Sequence, residues 1–72
     1  MKKINKIKIK LNGKLIVIEE HFNLRKLLNK FKVPLKKVAI EKNGVIINKK
    51  SINKIKILHN DKIEIVHFIG GG

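Results

Sequence analysis

The chain is predicted to adopt an α+β fold, a mixed sheet of four to five strands with one main helix on one face. Three observations predict it: two Asn-Gly turn signals flanked by extended apolar segments, one stretch of helical apolar spacing between them, and an alternating segment near the C-terminus. At 72 residues the chain supports one core, because a chain this short buries only ~60% of its unfolded surface.

Residues 6–11 alternate lysine with isoleucine or leucine, placing Ile7, Ile9 and Leu11 on one face and Lys6, Lys8 and Lys10 on the other; period-2 patterning of this kind is a half-buried strand. Asn12-Gly13 tolerates the positive φ angles of a tight hairpin, and Leu15 to Ile18 read as the returning strand. Asn23 is placed to cap a helix whose apolar positions Leu24, Leu27, Leu28 and Phe31 fall at i, i+3, i+4 and i+7. Pro34 stops that helix, an extended segment runs from Val38 to Lys42, and Asn43-Gly44 turns it into Val45, Ile46 and Ile47. Residues 48–60 read as a loop that drops Ile52, Ile55 and Ile57 into the core. Lys62 to Ile69 is the last strand, with Ile63 and Ile65 facing inward and Glu64, Val66 and Phe68 outward. A right-handed crossover through the helix sets this strand parallel to the first. The resulting arrangement is a β-grasp, predicted over residues 1–69, with a glycine tail over residues 70–72.

The net charge of +13 raises nucleic acid or an anionic membrane as partners. Lysine, isoleucine and asparagine, whose codons are rich in A and T, supply 39 of the 72 residues, so genomic base bias accounts for the charge equally well. One arginine, three phenylalanines and no tryptophan or tyrosine leave little for reading bases or stacking on them, and no specific nucleic acid is expected. No apolar run approaches the ~18 residues of a membrane span, no cysteine is present, and the expected location is the cytoplasm, an organelle with A- and T-rich DNA being the other.

The opening strand ending in Asn12-Gly13, the Leu24-x-x-Leu27-Leu28 helix, the segment from Val38 through Glu41 to Gly44, and Asp61 to Val66 leading into terminal Gly71-Gly72 follow one another in a specific order and spacing. In these features the chain resembles the thiamine-pathway sulfur carrier proteins, the ThiS family, which share the ubiquitin-like β-grasp fold. It departs from many of them in its basic charge, in a few residues before the first strand, and in glycine at position 70. The resemblance implies that an E1-like adenylating enzyme (ThiF-like) uses ATP and magnesium to convert the Gly72 carboxylate into an acyl-adenylate, that a sulfur donor enzyme turns it into a thiocarboxylate, and that a thiazole synthase (ThiG-like) consumes the sulfur. The chain itself is then a carrier and no enzyme, and binds no cofactor of its own. The small subunit of molybdopterin synthase and a ubiquitin-like protein modifier share the fold and the glycine ending and stand as alternatives, and a basic nucleic-acid-binding module is the rival from another class.

A carboxylate is a poor electrophile and needs a better leaving group before sulfur can attack its carbon, so a terminal carboxylate is a handle for chemistry done elsewhere. Gly70, Gly71 and Gly72 suit such a handle because residues without Cβ thread a narrow crevice, and residues 69–72 reach about 13 Å when extended. Val66 and Phe68 form a candidate docking patch beside the tail. Parallel pairing of the first and last strands is expected to rim it with Lys8 and Lys10. His21, His59 and His67 have neither i, i+4 pairing nor thiolate companions, which speaks against a metal site. His67 reads as a residue at the rim of the core. The five carboxylates show no catalytic pairing, and no glycine loop leads into a helix where it could hold a phosphate.

Overall fold

The computed structural model describes residues 5–68; Ile69 and the tail glycines Gly70, Gly71 and Gly72 lie outside them. The elements are β1 (Lys6–Leu11), β2 (Lys14–Glu19), α1 (Leu24–Lys30), β3 (Val38–Lys42), β4 (Val45–Ile46) and β5 (Lys62–His67), with short 3₁₀ turns at Leu35–Lys37 and Lys49–Ser51. The five strands form one sheet in the order β2-β1-β5-β3-β4. β1 and β5 are parallel, and the other neighbours are antiparallel. Among the described residues this is the predicted mixed sheet, with one α-helix packed against it.

The alternation in the sequence maps onto burial as anticipated. Ile7, Ile9, Ile18, Ile40, Ile63 and Ile65 point into the core from the sheet, and Leu24, Leu27 and Leu28 meet them from α1. Asn23 caps the helix by accepting a hydrogen bond from the Lys26 N–H at 2.8 Å. The segment after β4 also does what its pattern implies: Ile52 and Ile57 are each 1% exposed, with Ile55 packed beside them. Its backbone serves the helix as well. The N–H groups of Leu24 and Arg25, which lack partners within the first helical turn, donate to the carbonyls of Ile55 and Ile52.

Three details differ from the sequence expectation. Phe31 ends the helix as its C-cap and is 43% exposed. Lys32 adopts a left-handed φ of 55°, its N–H donates to Asn29 and the Val33 N–H donates to Leu28. This paired closure swings Phe31 out and packs Val33 against the core in its place. β4 is shorter than expected, ending at Ile46; Ile47 leaves the strand, donates to the Ile40 carbonyl and packs against the core.

The third difference concerns register. Only Lys10↔Lys62 and Leu11↔Ile63 pair across β1 and β5, so the C-terminal end of β1 meets the N-terminal start of β5. Lys8 and Lys10 therefore flank residues 59–62, with the Asn60 N–H donating to the Lys8 carbonyl. Val66 lies four residues beyond Lys62, about 13 Å along the strand. The expected lysine rim around Val66 and Phe68 is not formed by Lys8 and Lys10.

Candidate functional site

The element that leads to the C-terminus is β5, and the fold grips it from both sides. Toward β3 it pairs from Lys42↔Ile63 to Val38↔His67, and the Phe68 N–H continues the ladder by donating to the Lys37 carbonyl at 2.9 Å. Toward β1 the strand pairing runs out after Leu11, and Asn12 replaces it. Its backbone N–H donates to the Ile63 carbonyl at 2.9 Å. Its side chain then accepts from the Ile65 N–H at 2.7 Å and donates to the Ile65 carbonyl at 3.2 Å. A side-chain amide thus stands in for the next peptide of β1.

The second Asn-Gly turn holds the opposite end of the strand. Asn43 donates its backbone N–H to the Lys62 carbonyl, accepts from the Lys62 N–H at 2.9 Å and donates Nδ2 to Asp61 Oδ1 at 2.9 Å. Asp61 is 6% exposed; its other oxygen accepts from the Leu58 N–H, with Lys42 Nζ 3.7 Å away. Both asparagines sit at φ near +50°, 51° for Asn12 and 53° for Asn43, a conformation that asparagine tolerates far better than most residues. The sequence marked these positions as turns, and nothing in a turn signal says where the side-chain amide goes.

On the outer face of β5 the structure brings Val66 and Phe68 together near its end. They are 55% and 57% exposed, and Ala39 of β3 lies beside Val66. The cation at this patch is Lys49, whose Nζ stands 5.1 Å from the centre of the Phe68 ring. Sequence reading missed it, because Lys49 reaches Phe68 only through the fold of the loop before β5. His67 is exposed and has the inward phase of Ile63 and Ile65 at the point where the core ends. His21 and His59 line a separate cleft of ≈ 390 Å³ with Ile7, Glu20, Lys56, Ile57 and Leu58, at the opposite end of the sheet from Phe68. Among the described residues there is no group of three or more side chains fit to hold a metal ion, and no helix is long and apolar enough to cross a membrane. What the arrangement provides is a strand hydrogen-bonded on both sides and an exposed apolar patch near its end.

Comparison with known proteins agrees with that geometry. The ThiS family model matches residues 3–72. A protein of Trieres chinensis named uncharacterized protein ycf40 is 44% identical over 62 residues, covering 86% of this chain and 85% of its own. The sulfur carrier protein ThiS of Bacillus subtilis is 35% identical, covering 89% of this chain and 98% of its own. A thiazole synthase of Magnetococcus marinus is 36% identical over 92% of this chain, which spans only 20% of that protein. The crystal structure of the thiamine biosynthesis protein ThiS from Geobacter metallireducens superposes with a TM-score of 0.82 at 28% identity, over 92% of this chain and 100% of that one. With a family model matched along nearly the whole chain and a fold shared with a solved member, this chain belongs to the ThiS family.

Proposed function

We infer that this protein is a sulfur carrier of thiamine biosynthesis, which holds sulfur as a thiocarboxylate at its C-terminus and is not itself an enzyme. The observation that carries the reading is a family match running to residue 72 on a fold whose last strand is clamped up to Phe68. The carboxylate of Gly72 is the proposed sulfur-bearing group, with Gly70 and Gly71 as the extended lead that carries it into partner enzymes. Adenylation gives the carboxyl carbon AMP as a leaving group, and the outer sulfur of a donor-enzyme persulfide displaces it to form an acyl disulfide. A partner-enzyme thiolate then attacks the donor's inner sulfur, releasing the thiocarboxylate and leaving a disulfide between the two partner cysteines. ATP and magnesium belong to an E1-like adenylating enzyme, which performs the activation with a sulfur donor enzyme.

The consumer of the sulfur is a thiazole synthase. The likeness of this chain to a segment of a protein bearing that name supports the pairing. Val66 and Phe68 are the proposed contact with the partner body, with Lys49 in place of the lysine rim expected from the sequence. The cytoplasm, or the equivalent compartment of an organelle, is the proposed setting.

Intact-mass measurement tests the reading. After incubation with ATP, magnesium, the adenylating enzyme and a sulfur source, the protein gains about 16 Da as sulfur replaces one terminal oxygen. No gain in the presence of an active adenylating enzyme from the same source overturns it.

A further inference from the structure

We propose that Lys8, Lys10 and Lys62 form a site on the outer sheet face for a small phosphate-bearing molecule, held through a doubly charged phosphate group. The register that carries Lys8 and Lys10 away from Val66 and Phe68 brings them to the start of β5, where Lys10 stands directly opposite Lys62. Like charges directly opposite on neighbouring strands are destabilising, so this pair works against the fold unless an anion lies between the two ammonium groups. Among the described residues no carboxylate forms an ion pair with any of the three lysines; the ion pairs present join Glu20 to His21 and Asp61 to Lys42. Asp61, next in sequence to Lys62, is 6% exposed, and its oxygens are engaged by Asn43 Nδ2 and the Leu58 N–H.

A shallow cleft of ≈ 240 Å³ gathers Lys8, Lys10 and Lys62, with Asn60 and the apolar Ile9 and Leu15 completing its lining. Neighbouring strands lie ~4.8 Å apart. At that separation two ammonium groups reach different oxygens of one tetrahedral anion at the ~2.8 Å of a charge-assisted hydrogen bond. A phosphate group carries about −1.5 to −2 at neutral pH, enough to offset two of the cations, whereas a carboxylate offsets one. The surroundings limit what fits. On one side Leu15 and Val17, 60% and 50% exposed, stand opposite Lys10 and Lys8. On the other, Glu64 lines the adjoining cleft with Lys10 and Lys62 and stands opposite Glu41. Lys6, the next lysine along β1, faces Glu19 across the β1–β2 pair and is left out of the site. Bounded by an apolar strip and by carboxylates, the cleft suits one phosphate group, and the continuous phosphate backbone of a nucleic acid or the charged plane of a membrane fits it poorly.

The test titrates the full chain with inorganic phosphate at low ionic strength and roughly pH 8, where phosphate is doubly charged, following backbone amide shifts by NMR. Saturable shifts are expected at Lys8, Lys10, Asn60 and Lys62, with acetate at equal ionic strength binding about fivefold more weakly. Lys10→Gln and Lys62→Gln change exposed side chains and are each expected to weaken phosphate binding about fivefold. In phosphate-free buffer Lys10→Gln is expected to raise the thermal midpoint, because it ends the opposition of like charges. Glu64→Gln removes the nearest exposed carboxylate and is expected to tighten binding about twofold. Lys26→Gln with Lys30→Gln takes two charges from the exposed face of α1 and is expected to leave the affinity within about twofold, which separates a local site from net charge. Shifts spread evenly over the lysines, acetate matching phosphate, or equal losses from the α1 variant overturn the proposal and leave an adventitious ion only. A single-stranded oligonucleotide, or vesicles of phosphatidylserine and phosphatidylcholine, displacing phosphate while shielding residues far beyond the cleft overturns it as well. A protein lacking Gly72 binds phosphate as the full chain does, so this outcome is read separately from the fate of the sulfur-carrier reading.

Discussion

Asn12 combines two roles that are usually held by different residues. Its φ of 51° closes the β1–β2 hairpin, and its amide makes two hydrogen bonds to the Ile65 peptide. Asn12→Gly keeps the turn and removes the clamp; Asn12→Ala removes the clamp and strains the turn as well. At ~0.5–1.5 kcal/mol net for each hydrogen bond, the glycine variant is expected to lose about 1–3 kcal/mol, and the alanine variant about 1–2 kcal/mol more from the left-handed backbone. Urea unfolding measures both, and equal stabilities for the two variants would show that the conformation at this residue is unstrained. Phe68 is the opposite case, an exposed aromatic residue with Lys49 Nζ over its ring. Phe68→Ala leaves no core cavity, so folding stability is expected to change by less than ~0.5 kcal/mol, while sulfur loading by the adenylating enzyme slows. A loss of several kcal/mol would mean that the ring is packed inside.

At the level of elements, the strands and the helix were legible because each buries one face, and burying one face leaves a periodic trace. Ile7 and Ile9, Ile63 and Ile65, and Leu24, Leu27 and Leu28 all went where their spacing said. The exceptions occur where a backbone device outranks periodicity. Phe31 keeps perfect helical spacing after Leu24 and Leu27, yet the left-handed turn at Lys32 ends the helix and hands its place to Val33. The strand register was not legible either, since alternation fixes which face a residue occupies but says nothing about how far β1 slides along β5. The expectation built on alternation alone therefore sets Lys8 and Lys10 beside Val66 and Phe68, whereas the observed register sets them beside the start of β5. The segment of residues 48–60 shows how irregular chain contributes to a core: Ile52 is 1% exposed, and its carbonyl accepts from Arg25 at the start of α1. Ile52→Ala is expected to cost about 2–5 kcal/mol, as core truncations do, with the helix start loosening alongside. Hydrogen exchange at Leu24 and Arg25 checks it. Unchanged protection there would show that this segment rests on the helix without supporting it.

For the molecule as a whole, the fold and the proposed chemistry occupy different parts of the chain. The described hydrogen-bond network reaches Phe68 and gives the residues beyond it a fixed point of departure, whereas Gly70, Gly71 and Gly72 have no side chains to add to the core. The proposed tail is legible only as composition and position, because a handle acting on chemistry supplied by other proteins would leave no constellation of catalytic side chains to find. The separation makes a sharp expectation. Removing Gly72 is expected to leave the thermal midpoint essentially unchanged, since a terminal glycine has no side chain to bury and chain ends commonly contribute little to stability. The new carboxylate falls one residue short, roughly 3.3 Å of extended chain, and a displacement of ~1 Å between reacting groups can cost about a hundredfold in rate. Sulfur loading of the shortened protein is therefore expected to fall by at least about a hundredfold, read by the absence of the ~16 Da gain on the time scale at which the full chain is fully loaded. Gly71→Val is expected to fail as well, with the carboxylate at its full reach, because a β-branched side chain stiffens and widens the segment that must enter the partner. If the shortened protein accepts sulfur as fast as the full chain while Gly71→Val does not, the partner reads the width of the tail and tolerates its length; if both load normally, the terminal carboxylate is not the carrier group.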